Sequence, residues 1–269
     1  MTPEIGSRTA KGGFANEKAI RDKFISWKTD LDAQLWLTAM GYELSEIEEL
    51  NAVQIPTRLK ASHDMFLKNH HDHSIVSRFK KADIQIKLLI KIGAVWQVEN
   101  ISVKKAKQQA DFNQIDKRPV STYQQMWNFD NEIANALKLF TGETEPAVGI
   151  EVRDSRRMYL DELPDDIRHK VIRFFERNRI LVVSDLLKGR GGLAADWLLV
   201  TRYNDKENTT TWIIKDINTV MNFFGSGEIR LSQKGSLYIG RIFMQRKGGT
   251  PDPRSLQFKI HPCELFQIG

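Results

Sequence analysis

The chain has 269 residues, 41% hydrophobic and 28% charged, which accommodates one large globular domain or two small ones. A formal net charge of +6 and an isoelectric point near 9.3 favour a polyanionic partner. The one cysteine, Cys263, excludes an internal disulfide and a cysteine-based zinc site. No uncharged run approaches the roughly 18 residues of a membrane helix, and residues 1–8 lack the apolar segment of a secretory leader, so a cytoplasmic protein with no membrane partner is expected.

Residues 14–28 are predicted helical, because Phe14, Ile20, Phe24 and Trp27 recur at helical spacing. Glu17 falls in that stripe. A carboxylate on the core side needs a partner or a metal; the alternative is a solvated first-turn acid favoured by the helix dipole. A second helix, Leu31 to Met40, stops at Gly41 as a C-terminal cap would. Residues 57–80 form a polar stretch whose His63, His70, His71 and His73 follow no helical or strand spacing, and a solvated insertion is expected there rather than a metal site.

Residues 83–104 carry the most regular pattern in the chain. Apolar residues alternate on both sides of Gly93-Ala94, which predicts two antiparallel strands joined by a two-residue turn, Gly93 taking the positive φ of type II′. Cross-strand partners then have numbers summing to 187, so Asp83 faces Lys104 and Gln85 faces Ser102. These four share one face. The other face, with Ile84, Ile86, Ile90, Ile92, Val95, Ile101 and Val103, is predicted core.

An acid and an amine on the back of an apolar hairpin suit metal-assisted phosphodiester hydrolysis. The carboxylate binds a hard divalent cation such as Mg2+, and the ammonium positions or helps activate the attacking water. A solvated cross-strand ion pair is the competing reading.

The stretch 104–119 reads as a basic, amide-rich loop. Asn113 and Gln114 are of the kind that read base edges, and Lys117 of the kind that meets phosphate or guanine. Phe112 is placed to wedge between base steps, or to anchor the loop. Residues 121–140 are predicted as one long helix, and Asp161 to Asn178 as another. Lys188 to Gly192 is a cationic glycine-rich loop, too short and wrongly spaced for a Walker motif. The last third is predicted as strands at 197–203, 211–215, 228–231, 237–246 and 256–260, with a short helix at 217–224. Gln245-Arg246-Lys247 at the end of the longest strand offers a second base- or phosphate-contacting loop.

Several segments match a known pattern: Ser7 to Lys18, Trp36 to Gly41, Phe112-Asn113-Gln114-Ile115-Asp116-Lys117, Tyr123 to Asp130, Phe140 to Glu143, Gly189 to Gly191, Gln245 to Gly249 and Leu256 to Ile260. On these the chain resembles the HinPI-type type II restriction endonucleases, GCGC-cutting members of the PD-(D/E)XK nuclease superfamily related to MspI. The resemblance spans nearly the whole chain and omits the histidine-rich stretch.

It implies a single α/β domain over 1–269, with a restriction-endonuclease-like core of a central mixed β-sheet flanked by helices. That family places an Asp at the start of one strand and, eighteen residues on, Gln-x-Lys on the next. Asp83, Ser102 and Lys104 occupy those positions here, with Ser102 in place of the Gln. Glu17 matches an N-terminal family Glu, which makes Asp83 and Glu17 the implied metal contacts and Mg2+ the implied cofactor.

Double-stranded DNA is the implied partner, contacted by Phe112, Asn113, Gln114, Lys117, Arg190, Gln245, Arg246 and Lys247. A methyltransferase encoded nearby and a monomer or weak homodimer are expected with it. Glu99 is on the wrong face to replace the missing ligand unless a bulge intervenes. A catalytically weakened DNA-binding homologue and a nicking or repair nuclease remain open beside the restriction enzyme.

Overall fold

The computed structural model describes residues 15–55, 85–106, 112–204, 207–246 and 255–268. Asp83, Lys247 and the histidine-rich stretch lie outside them. The chain divides into two compact units: residues 4–113, 187–220 and 261–269 form one, and residues 1–3, 114–186 and 221–260 the other. Each unit holds one five-stranded sheet, apart from Asn113 at the start of its edge strand.

The first unit is built on the hairpin. Its sheet runs in the order β1 (Glu49–Ile55), β2 (Gln85–Ile92), β3 (Val95–Ala106), β5 (Trp197–Asn204), β6 (Thr209–Asp216). The β3–β5 pair is parallel and the other pairs antiparallel, so the sheet is mixed, as expected. A parallel pair needs a long crossover, and residues 107–196 between β3 and β5 contain most of the second unit.

Two helices, α1 (residues 15–25) and α2 (Leu31–Ala39), pack on one face. Asp30 caps α2 by accepting from the Ala33 amide at 3.0 Å, and Gly41 ends it with φ +92°. Ile20, Phe24, Trp27, Trp36 and Leu37 form one core with Ile86, Leu88, Ile90, Ile101, Val103, Leu199 and Ile214. Phe24 lies 5.2 Å from Trp36, and Trp36 meets Trp212 edge-on at 5.8 Å, favourable separations for aromatic pairs.

Cross-strand partners in the hairpin do sum to 187 from Ile92↔Val95 to Gln85↔Ser102. Gly93 has φ +56° and Ala94 a negative φ, in keeping with a type II′ bend. One expectation fails at the tip: Val95 is not core but 58% exposed. Trp96 and Val98, on the other face, are exposed as well. Strand β1 was not foreseen. Only Ala52 and Ile55 of its seven residues are buried, so this edge strand shows no clear alternation.

In the second unit the sheet order is β4 (Asn113–Pro119), β10 (Ser255–Ile260), β9 (Ile242–Arg246), β8 (Leu237–Ile239), β7 (Ile229–Leu231). Helices α3 (Val120–Trp127), α4 (Asn131–Thr141), α5 (Asp165–Arg177) and α6 (Arg179–Leu187) belong with it, while α7 (Ile217–Gly225) crosses the division between units. Tyr123 and Trp127 of α3 meet Phe258 of β10 edge-on at 5.2 and 5.8 Å, and Trp127 meets Phe175 of α5 at 6.2 Å.

Four readings of this region need correction. The loop expected at 104–119 is largely strand: β3 continues to Ala106 and β4 starts at Asn113, with Ile115 buried. The single helix expected at 121–140 is two, because Asn128 adopts a left-handed conformation (φ 53°) and Asp130 caps a new helix by accepting from the Ile133 amide at 2.9 Å. The strand expected at 237–246 is a hairpin, with Gly240 at φ +58° in the turn and Ile239 paired to Ile242. Helix α6 was missed; its apolar run Ile180-Leu181-Val182-Val183 shows no stripe, Ile180 and Leu181 being exposed and the valines buried.

Candidate active site

The hairpin's second face is where an acid and an amine were expected. Gln85, Ser102 and Lys104 project from it, together with Lys87 and Asn100; Lys87 is half-buried and the other four are buried. Gln85 and Ser102 are completely buried and Lys104 is 7% exposed. Lys104 is thus buried rather than on a wet surface, while Asp83, its expected partner, lies outside the described residues. Burial holds the Lys87 ammonium below its usual pKa. Neither Oε1 nor Nε2 of Gln85 has a hydrogen-bond partner.

Asn100 is fixed by Asp196, whose Oδ2 accepts from the Asn100 amide at 2.9 Å and from its Nδ2 at 3.3 Å. This ties the middle of β3 to the start of β5. Glu99, one residue earlier, points to the helix-packed face opposite Leu88, as the register requires. Its Oε1 accepts from the Tyr42 hydroxyl at 2.6 Å and its Oε2 from Trp197 Nε1 at 2.9 Å. Burial and the Glu99 charge push the Tyr42 phenol well above its usual pKa.

Glu17 is buried on α1, in the stripe with Ile20 and Phe24. That helix packs on the Ile86 and Val103 face, opposite the one that bears Ser102 and Lys104. Its first turn is anchored where Thr201 Oγ1 meets Asn16 Oδ1 at 3.2 Å, and Thr201 is the β5 neighbour of Lys105. Glu17 thus starts its helix beside the strand end that carries Lys104. Among the described residues no group of three His, Cys, Asp or Glu side chains gathers as a metal site.

The residues expected to meet DNA fall in both units. In the first, half-buried Arg190 lies in the turn that follows α6. Phe112 lies against His261 with ring centroids 3.5 Å apart and the ring planes tilted by 36°. Asn113 is half-buried at the start of β4; Lys117, also half-buried on β4, belongs to the second unit.

In the second unit, Gln114 of β4 and Gln245 of β9 are joined through Gln257 on the strand between them. Gln245 Nε2 donates to Gln257 Oε1 at 3.0 Å, and Gln257 Nε2 donates to Gln114 Oε1 at 2.6 Å. Two predicted base readers thus belong to one amide row, whose central member the sequence did not single out. On the same face of β10 and β9 are Lys259, held below its usual pKa by burial, and Phe243, whose ring lies tilted against Tyr238 at 4.7 Å. Arg246 points to the other face, where burial and the nearby Arg157 guanidinium lower its pKa. Asp116 was missed as a structural acid. It is buried, accepts from Arg118 Nε at 3.0 Å and from the Tyr123 hydroxyl at 2.6 Å, and helps drive that buried phenol's pKa up.

Known structures share this arrangement of sheets and helices. Restriction endonuclease MspI, solved in complex with its cognate DNA, is similar to the chain with a TM-score of 0.59 over 92% of this chain and 88% of that one, at 14% sequence identity. The fold is therefore that of a restriction endonuclease: mixed α/β, with a five-stranded mixed sheet and flanking helices. The sequence narrows the class, because residues 64–266 match the R.HinP1I restriction endonuclease family. The chain belongs to that family and is a type II restriction endonuclease. Among curated protein sequences, none matches it.

Proposed function

We propose that this protein cuts double-stranded DNA at a short GC-rich palindrome, GCGC or a close relative, and leaves 5′-phosphate ends. The observation that carries the reading is the buried polar face of the hairpin, with Ser102 and Lys104 on the strand paired to the one that follows Asp83. Family membership and the MspI-like fold support it.

The donor set suits a hard cation: a hydroxyl and an unpartnered buried amide on one face, next to the predicted carboxylate of Asp83. Asp83 and Ser102 would hold Mg2+, with Glu17 contributing a carboxylate from the helix side of the strand end. A divalent cation held there would supply acidification of a coordinated water and charge compensation at the scissile phosphate. Lys104, kept from solvent, holds its ammonium on the same face and orients the attacking water against the scissile phosphate. Ser102 adds a neutral oxygen at the position next to Lys104 on that face. Gln114, Gln245 and Lys117 read base edges, and Arg190 meets backbone phosphate.

Incubating plasmid with Mg2+ and mapping the ends tests this. The expected result is cleavage at one tetranucleotide with 5′-phosphate ends, and a loss of at least about a thousandfold in Lys104→Ala. No cutting, or a Lys104→Ala variant equal to its parent, refutes it. Ser102, which stands where a Gln is expected, favours a second reading: a homologue that binds the same site and cuts slowly or not at all. Retained binding of a GCGC duplex without cleavage in Mg2+ or Mn2+ would select that one. A methyltransferase protecting the same sequence is the expected genetic neighbour.

A further inference from the structure

Among the described residues of the hairpin, Gln85 is the buried polar side chain with neither polar atom hydrogen-bonded. Its exposure is 0%, and neither its carbonyl oxygen nor its amide nitrogen has a hydrogen-bond partner. Buried side-chain amides are almost always paired, because water would otherwise have satisfied them. Leucine or methionine would fill the same volume without that penalty, so no described residue accounts for an amide at this position.

The register says where a partner would sit. Gln85 is the cross-strand neighbour of Ser102, and opposed residues of an antiparallel pair have Cβ atoms about 4.5–5.5 Å apart. Lys104 is the next residue on the same face. An amide offers an acceptor and two donors. Oε1 is a neutral hard oxygen of the kind Mg2+ and Mn2+ accept, and Nε2 can donate to a phosphate oxygen or a metal-bound water. A lone anion would satisfy only the nitrogen, and a lone cation only the oxygen. A cation carrying a phosphate or a water satisfies both.

We propose that Gln85 is a direct oxygen ligand of the divalent cation, completing from β2 the donor set that Ser102 begins on β3. This rests on the nuclease reading of Asp83 and Lys104 above. It predicts that the amide destabilises the metal-free protein and contributes only when the ion is bound.

The test is Mn2+ titration followed by electron paramagnetic resonance. The full chain carries Lys104→Met to prevent cleavage and is bound to a GCGC duplex. Gln85→Leu should weaken Mn2+ binding by about tenfold or more, and its thermal midpoint in EDTA should equal or exceed that of the parent. Gln85→Glu should bind Mn2+ more tightly. Asp83→Ala is the control for the centre itself. If Asp83→Ala loses Mn2+ while Gln85→Leu keeps the parent's affinity, the centre stands and the ligand assignment falls. If neither changes Mn2+ binding, the nuclease reading falls and the assignment with it. A lowered midpoint for Gln85→Leu in EDTA means the amide is structural, which also overturns the proposal.

Discussion

Glu99→Gln tests the face assignment on which the site depends. Glu99 is the nearest acid to Ser102 and Lys104 on β3, and a slip of one residue would bring it among them. Its carboxylate instead accepts from Tyr42 and Trp197, at 2.6 and 2.9 Å. In the variant the new carbonyl still accepts from Trp197 Nε1, and the new amide donates to the Tyr42 oxygen. The Tyr42 hydrogen can then turn to Gln97 Oε1, already 2.8 Å away. No polar atom is orphaned, and only the charge assistance is lost.

Hydrogen bonds to ionised groups contribute about 1.5–3 kcal/mol and neutral ones about 0.5–1.5. Two bonds therefore lose about 2 kcal/mol, and partial exposure of Glu99 brings this to roughly 1–2 kcal/mol. At a urea slope of about 3 kcal/mol/M the unfolding midpoint falls by roughly 0.5 M. The Tyr42 phenol, which Glu99 helps to push up, should ionise at lower pH, read by its ultraviolet absorbance. Cleavage well below the unfolding transition should match the parent. A variant that unfolds at the parent's urea concentration but cuts more than about a hundredfold slower would place Glu99 in the catalytic machinery and refute the register argument.

Two further expectations concern the second unit. Gln257→Leu removes the centre of the amide row and leaves Gln114 and Gln245 without their shared partner, so discrimination between the preferred site and single-base variants should fall by about tenfold; competing substrates in one digest measure this, and unchanged discrimination would separate the row from base reading. Asp130→Ala should cost about 1 kcal/mol at neutral pH through loss of the α4 cap. The Ile133 amide and then Lys170 lower the Asp130 pKa in the folded state. That contribution is therefore present above the unfolded value of about 3.9 and lost as pH falls through the lowered folded one. Urea midpoints of parent and variant should converge as pH drops from 7 to 3; a constant gap would mean the side chain acts by packing.

The hairpin was legible because each signal in it is local. Alternation sets the faces, Gly93 permits the bend, and the two together fix a register that held through eight pairs. Features decided by distant partners were not. Gln114 and Gln257 are 143 residues apart in sequence, and the β4–β10 neighbourhood that joins them leaves no mark on either segment. Strand β1 depends on β2 for its existence, since too few of its own residues are buried to announce it. The break between α3 and α4 was written in Asn128-Phe129-Asp130, but a left-handed Asn and an N-capping Asp compete with a continuous apolar stripe, and the stripe was the louder signal. For Glu17 the sequence left a core-side and a solvated position open, and the structure buries it; that α1 packs opposite the face bearing Ser102 and Lys104 follows only from tertiary structure.

The two faces of the hairpin stand in an energetic relation that explains why the site can be where it is. Ile86, Leu88, Ile90, Ile101 and Val103 are each almost completely buried, and at about 1.5–3 kcal/mol per side chain they contribute on the order of 10 kcal/mol. The opposite face carries a buried ammonium, a buried hydroxyl and, in Gln85, an amide with neither polar atom hydrogen-bonded, so it is the costlier face to bury. A strand exposes alternate residues to opposite sides, so the stabilising set and the costly set are held by the same backbone bonds. A one-residue slip would exchange them, driving Lys104 into the helix-packed core and Val103 out of it. The register is thus enforced by the apolar face, and the placement of Gln85, Ser102 and Lys104 is a consequence of packing on the other side of the sheet.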